Sequence, residues 1–161
     1  MKTLIIYASK YGGTEECARK LESHLGDDVT RVKMGGAVDA VDLSPFDTVI
    51  IGGGIYAGKI RKPVRTFCRK NMEDLLTKTI GLFVSALTPP GSDELAGIIE
   101  KNFPAELLEA AGAVGGFGGA VHFEQMNFFE RFVMKRITKR SESYSDISDQ
   151  AIREFAEKIK S

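Results

Sequence analysis

The chain has 161 residues, 43% hydrophobic and 27% charged, and its 22 basic and 22 acidic side chains leave a formal net charge of zero. That length suits one domain over 1–161 with a core large enough to need no staple, and the balanced charge removes the field on which non-specific nucleic-acid binding depends, so no nucleic-acid partner is expected. Cys17 and Cys68 lie outside any CxxC or Cys/His spacing, which excludes a disulfide framework and a zinc site, predicts no metal, and suits a reducing compartment.

The first apolar run, Thr3 to Ala8, is too short for the hydrophobic region of a signal peptide and ends at Ser9-Lys10, so the chain is placed in the cytoplasm. Its unbroken apolarity is the pattern of a strand covered on both faces. From Thr14 to Leu25 the period changes: Cys17, Ala18, Leu21 and Leu25 share a helical face, and Gly26 is placed to end it. Asp28 to Met34 alternates around Val29 and Val32 as a half-exposed edge strand would, and a linker follows from Gly35 to Pro45. Thr48 to Ile51 reads as a second central strand stopped by Gly52-Gly53-Gly54. Pro63 suits the first turn of a helix burying Val64, Phe67, Cys68, Leu75 and Leu76.

A third apolar strand, Thr79 to Val84, ends in Ser85-Ala86-Leu87-Thr88-Pro89-Pro90-Gly91, whose prolines and glycine exclude helix and ladder alike. Residues 92–111 read as helical, broken at Pro104. A glycine-dense strand follows from Gly112 to Val121, then an aromatic and basic helix from Met126 to about Arg140. Ser141 to Ser145 is a polar connector, and Asp146 or Ser148 caps a last helix carrying Ile152, Phe155, Ala156 and Ile159. Five strands separated by helical crossovers specify a three-layer α/β sandwich with a mainly parallel sheet. Its ligand sites are expected at the carboxyl ends of strands where the winding reverses.

The loop Ser9-Lys10-Tyr11-Gly12-Gly13-Thr14 joins the first strand to the first helix. Its glycines let backbone N–H groups turn inward, the Ser9 and Thr14 hydroxyls add donors, and the helix N-terminus adds its positive end. This is chemistry for a terminal phosphate; the competing reading is a glycine-rich turn with no ligand. No GxxxxGK[ST] occurs, so nucleotide hydrolysis loses its main support. Gly52 to Ala57 formally matches GxGxxG/A, but Gly58 and Pro63 delay the helix, and Glu73 and Asp74 fall on it, against a dinucleotide fingerprint. The favoured reading is a loop presenting Tyr56 as a flat surface to an aromatic ring, with a core-packed tyrosine as the alternative. His24 falls on the polar side of its helix, whereas His122 ends the fifth strand beside the expected crevice, where it can face a ligand.

Leu4-Ile5-Ile6-Tyr7-Ala8-Ser9-Lys10-Tyr11-Gly12-Gly13-Thr14-Glu15 and Val49-Ile50-Ile51-Gly52-Gly53-Gly54-Ile55-Tyr56-Ala57-Gly58 together resemble the flavodoxin superfamily. Phe128-Phe129-Glu130-Arg131-Phe132-Val133-Met134-Lys135 and the closing helix look like the branch containing menaquinone-dependent protoporphyrinogen dehydrogenases. The resemblance implies a flavodoxin-like fold with a five-stranded parallel sheet and FMN as cofactor. Its phosphate would be held by Ser9, Lys10, Tyr11, Gly12, Gly13 and Thr14, and its ring would lie between Tyr56 and Ser85-Ala86-Leu87, with Gly119 to His122 near the crevice. It further implies an oxidoreductase or electron-transfer role with a redox partner protein or a quinone. Two departures stand out. Tyr11 replaces the small hydroxyl residue usual in flavodoxins, and Lys59, Arg61, Lys62 and Arg65 ring a site that is acidic in most carriers, which suits an anionic substrate. The helix from Met126 carries Arg131, Lys135, Arg136, Lys139 and Arg140 against Glu130, alongside Phe128, Phe129 and Phe132. Such a helix can lie on an anionic membrane, which would put the chain at the inner membrane face. The favoured reading is that its phenylalanines are the core face of a sheet-covering helix.

Overall fold

In the computed structural model of the protein, which describes residues 1–35 and 40–161, the aliphatic runs pair side by side. The predicted linker therefore falls partly, at 36–39, outside the described residues. The strands are β1 (Thr3–Ala8), β2 (Val29–Lys33), β3 (Thr48–Tyr56) with the short β4 (Lys59–Ile60) folded back on its end, β5 (Thr79–Ser85) and β6 (Ala113–Gly116). The five long-range neighbours are parallel in the order β2-β1-β3-β5-β6, and β4 pairs antiparallel with β3. This is the α/β flavodoxin-like arrangement, with the winding reversing between β1 and β3.

Strand side chains alternate between faces, so β1 alone feeds two cores. Leu4 and Ile6 join Val49, Ile51, Val64 and Leu95 beneath α2 (Lys62–Lys70), α3 (Met72–Leu75), α4 (Asp93–Asn102) and α5 (Ala105–Ala110). Ile5 and Tyr7 join Cys17, Leu21, Phe83, Phe117 and Phe155 beneath α1 (Gly13–Leu25) and α7 (Asp149–Lys160). Phe83 stacks on Phe117 at 4.9 Å, and Phe155 meets Phe117 edge-on at 5.1 Å. The last helix buries Ile152, Phe155, Ala156 and Ile159 as its spacing predicts, and Ser148 caps it by accepting from Ala151 N–H.

Four expectations are corrected. β3 does not stop at Gly52 but runs on to Tyr56, because Gly52 and Gly53 are paired on one side with β1 and on the other with β5; a side chain at Gly52 would enter the Phe83 ring and one at Gly53 would sit 2.6 Å from Ile60. These glycines are there for packing. Leu76, expected in the core, lies just past α3 and is exposed. The strand expected to run from Gly112 to Val121 ends at Gly116; the chain turns at Gly118 (φ 84°), and β7 (Ala120–Val121) pairs antiparallel with β8 (Tyr144–Ser145), inside the expected connector, as a separate ribbon. Between them α6 (Phe128–Thr138) buries none of its side chains, so its phenylalanines are not a core face.

Candidate functional site

A crevice opens at the carboxyl ends of β1, β3 and β5, where the winding reverses. Ser9, Lys10, Tyr11, Gly13, Thr14, Tyr56, Ser85, Ala86 and Leu87 all line it, so the structure brings together the expected site residues except Gly12 and His122. Gly12 shapes the loop from behind. It is the N-cap of α1 with φ 88°, its N–H donates to Ser9 Oγ at 3.1 Å, and a side chain there would meet Gln125. The positive φ is one that glycine adopts without strain. The first N–H groups of α1 lack intrahelical acceptors and point out of the helix end, beside the buried Thr14. Gly54 makes room for that threonine: a Cβ at Gly54 would stand 3.0 Å from Thr14 Oγ1.

The second wall comes from two interlocked loops. Ala86 N–H donates to Gly118 C=O at 3.0 Å, and a side chain at Gly119 would strike the Ala86 backbone, so Gly119, Ala120 and Val121 close on Ser85 to Leu87. Tyr56 and Leu87 stand half-exposed at the mouth, at 55% and 46%, which places Tyr56 on the surface rather than in the core. Lys10 ties this mouth to α6. Its Nζ lies 5.1 Å from the Tyr11 ring, 5.8 Å from the Tyr56 ring and 3.2 Å from Glu130 Oε2. The Asn127 N–H, with Lys10 alongside, holds the Glu130 carboxyl below the usual range.

His122 lies outside the crevice lining. Its ring nitrogens sit 3.4 Å from Glu16 Oε2 and 3.4 Å from Glu124 Oε1. Burial pushes the thiols of Cys17 and Cys68 up to about 12, so neither is poised as a nucleophile. Among the described residues no His/Cys/Asp/Glu group can hold a metal.

Sequence reasoning missed the part played by four residues. Met126 and Met134 close the crevice from the α6 side; Met134 falls in the tail segment that carries the resemblance, but nothing in the sequence marks either as crevice-lining. Arg61 lines the crevice rather than merely ringing it. Asn102, buried at the end of α4, clamps the hairpin that carries Tyr56: its Oδ1 accepts from Ile60 N–H at 2.9 Å, and its Nδ2 donates to Gly58 C=O at 2.9 Å. A signal for it exists, a polar residue on the buried row of Leu95 and Ile99.

The crevice offers a helix N-terminus, two hydroxyls and glycine-lined backbone, which fit a phosphate ester. Its enclosed volume of about 120 Å³ is below the roughly 300–1,000 Å³ of pockets that engulf a ligand. The donor set therefore fits the phosphate end of a flavin nucleotide, and the flat surface for a ring lies in the open mouth at Tyr56 and Leu87. The buried Tyr11 hydroxyl has no hydrogen-bond partner, so it is a further polar group free at this wall.

A doubly wound α/β protein with an anion cradle at its switch point is the class that fold and crevice define. Residues 4–148 match the family described as Flavodoxin domain, and the chain belongs to that family. Among solved structures it is similar to a Streptococcus pneumonia TIGR4 flavodoxin, at 21% identity and TM-score 0.60, covering 99% of this chain and 98% of that one. It is also similar to Flavodoxin 2 from Bacillus cereus, at 21% identity and TM-score 0.54 over 99% and 98% of the two chains. A Fusobacterium nucleatum flavodoxin bound to flavin mononucleotide matches at 17% identity and TM-score 0.56 over 99% and 98%. Comparison with curated proteins finds no match.

Proposed function

We propose that the chain is an FMN-binding flavoprotein that transfers electrons to and from a redox partner protein. The observation that carries this reading is the convergence of the phosphate-type cradle and the half-exposed Tyr56 on one crevice. The Fusobacterium nucleatum flavodoxin is bound to flavin mononucleotide, which makes FMN the phosphate ester to test first. Bound FMN supplies the redox chemistry, which the polypeptide itself lacks. The N–H groups opening α1 and the hydroxyls of Ser9 and Thr14 would hold the phosphate. Tyr56, with Ser85, Ala86 and Leu87, would flank the ring and limit its contact with water. Arg61 would add positive charge beside it.

The test is a fluorescence titration with FMN and with riboflavin, on the chain and on Thr14→Ala. Charge-assisted hydrogen bonds contribute roughly 1.5–3 kcal/mol, so Thr14→Ala weakens FMN by about tenfold or more, and riboflavin, lacking phosphate, binds far less tightly. Equal affinity for the two flavins would overturn the assignment of the loop. A second reading, a menaquinone-dependent protoporphyrinogen dehydrogenase, is favoured by Arg61 in the crevice with Lys59, Lys62 and Arg65 around it, a cationic rim suited to a propionate-bearing substrate. Turnover of protoporphyrinogen with a menaquinone acceptor decides between carrier and dehydrogenase.

A further inference from the structure

Among the described residues, α6 is the one α-helix that buries none of its side chains. Phe128, Phe129 and Phe132, all within its first five residues, are 87%, 71% and 52% exposed. Three free phenylalanines on one helix end are an unusual solvent-facing surface, because each forfeits the burial that normally stabilises a fold. The opposite side of the helix is anchored: Met134 lines the crevice and Glu130 pairs with Lys10. The C-terminal half presents Lys135 and Arg136, with Lys139 just beyond; Arg140 is engaged by Asp146 at 3.9 Å and the Tyr144 ring, and the Arg136 guanidinium lies 5.4 Å over the Phe132 ring. The helix's single acid, Glu130, is thus turned inward and neutralised. Across the crevice mouth the stretch 55–72 holds Lys59, Arg61, Lys62 and Arg65 without one acidic residue, beside the half-exposed Tyr56. A chain of zero net charge has gathered cations and bare aromatics at one end.

We propose that this end of the molecule docks on an anionic lipid bilayer, with the α6 phenylalanines entering the boundary between headgroups and acyl chains and the surrounding Lys and Arg meeting the headgroups. The combination of apolar aromatics with flanking cations is what an interfacial helix requires. Charge complementarity selects an anionic surface. The phenylalanines stand on a convex helix, and a bilayer deforms around them where a protein partner would need three matching pockets. Docking would turn the crevice mouth toward the membrane. The proposal goes beyond the flavin reading and does not depend on it, since binding is measured with and without added FMN.

Co-sedimentation of the full chain with vesicles of phosphatidylcholine containing about 30% phosphatidylglycerol tests it. The chain pellets with these vesicles, at least about tenfold less with pure phosphatidylcholine, and less again at ~0.5 M salt. Replacing Phe128, Phe129 and Phe132 together by Ser lowers partitioning by about tenfold or more; because these side chains are exposed, the melting temperature stays unchanged. The chain has no tryptophan, so Phe128→Trp reports insertion directly by a blue shift on adding anionic vesicles. Failure of the wild-type chain to pellet, or equal pelleting of the triple variant, overturns the proposal. So does a dimer in sedimentation velocity that the triple variant abolishes while vesicle binding is absent, which would assign the patch to self-association.

Discussion

Asn102→Ala should be among the most damaging polar substitutions in the molecule, although Asn102 lies outside the crevice lining. It removes the acceptor for the Ile60 N–H and the donor to the Gly58 carbonyl, both on the hairpin between β3 and β4. Ile60 is 2% exposed, so water cannot replace the lost partner without opening the structure. Losing the bond to the exposed Gly58 carbonyl costs about 1 kcal/mol and orphaning the buried Ile60 N–H about 1–3 kcal/mol, together about 2–4 kcal/mol. At this length a kilocalorie shifts the melting temperature by about 3 °C, so a fall of about 6–12 °C is expected by calorimetry. Hydrogen exchange at the Ile60 amide should accelerate with it. Asn102→Asp sharpens the test. It keeps an acceptor for Ile60 but turns a carboxylate oxygen toward the Gly58 and Ile98 carbonyls, to which Nδ2 now donates. Ionisation is disfavoured there, so the folded-state pKa rises above the unfolded value of about 3.9. A raised carboxyl pKa destabilises the fold as pH rises above the unfolded value and recovers on acidification, when the protonated oxygen can donate again. An alanine variant melting within about 1 °C of wild type, or an aspartate variant with a pH-independent deficit, would refute the clamp.

Gly52→Ala places a methyl group in the Phe83 ring and should cost about 1–3 kcal/mol by overpacking, read as a lower denaturation midpoint. Tyr56→Ala, at a half-exposed position, should alter the absorbance of bound flavin while leaving the melting temperature of the apoprotein within about 1 °C. Charge reversal at Arg61 and Lys62 should lower the flavin potential: a unit charge ~8 Å from the ring at an effective dielectric of ~20 corresponds to roughly 2 kcal/mol before salt screening. Redox titration at low and high salt checks both the sign and its screening. The Glu130 carboxyl, held low by the Asn127 N–H and by Lys10, contributes stability present above its unfolded pKa and lost as pH falls through the folded one. Glu130→Gln should therefore flatten the acid side of the melting-temperature profile.

Residues whose periodicity matches one element were legible. Ile152, Phe155, Ala156 and Ile159 repeat at helical spacing and bury as a row, and β1 is unbroken in apolar character because both its faces are covered. The first loop was legible because anion-binding backbone needs glycine and hydroxyls at a strand-to-helix turn. What failed were inferences that treated a local signal as complete. Glycine ends strands when only the chain is considered, yet Gly52 continues β3 between β1 and β5, and glycine is needed there because the space beside it belongs to Phe83, thirty-odd residues away in sequence. The two-residue strands β7 and β8 are too short to carry any alternation. For α6, the phenylalanines have the composition of a core and the placement of a surface. In the structure Arg136 stacks on the exposed Phe132, so a cation shares the aromatic face.

The β7–β8 ribbon gives the segment between its strands a particular independence. Ala120 faces Ser145 and Val121 faces Tyr144, so the chain leaves the body and returns to it at nearly one point. Everything from His122 to Ser143 is an excursion closed at its base. A tight turn joining Val121 to Tyr144 could replace it without rerouting any strand of the parallel sheet, and the same twenty-odd residues could be transplanted onto another ribbon of this geometry. Such an exchange would leave the sheet as it is but take Met126 and Met134 from the crevice and Glu130 from Lys10, so this one cassette sets what closes over the cradle.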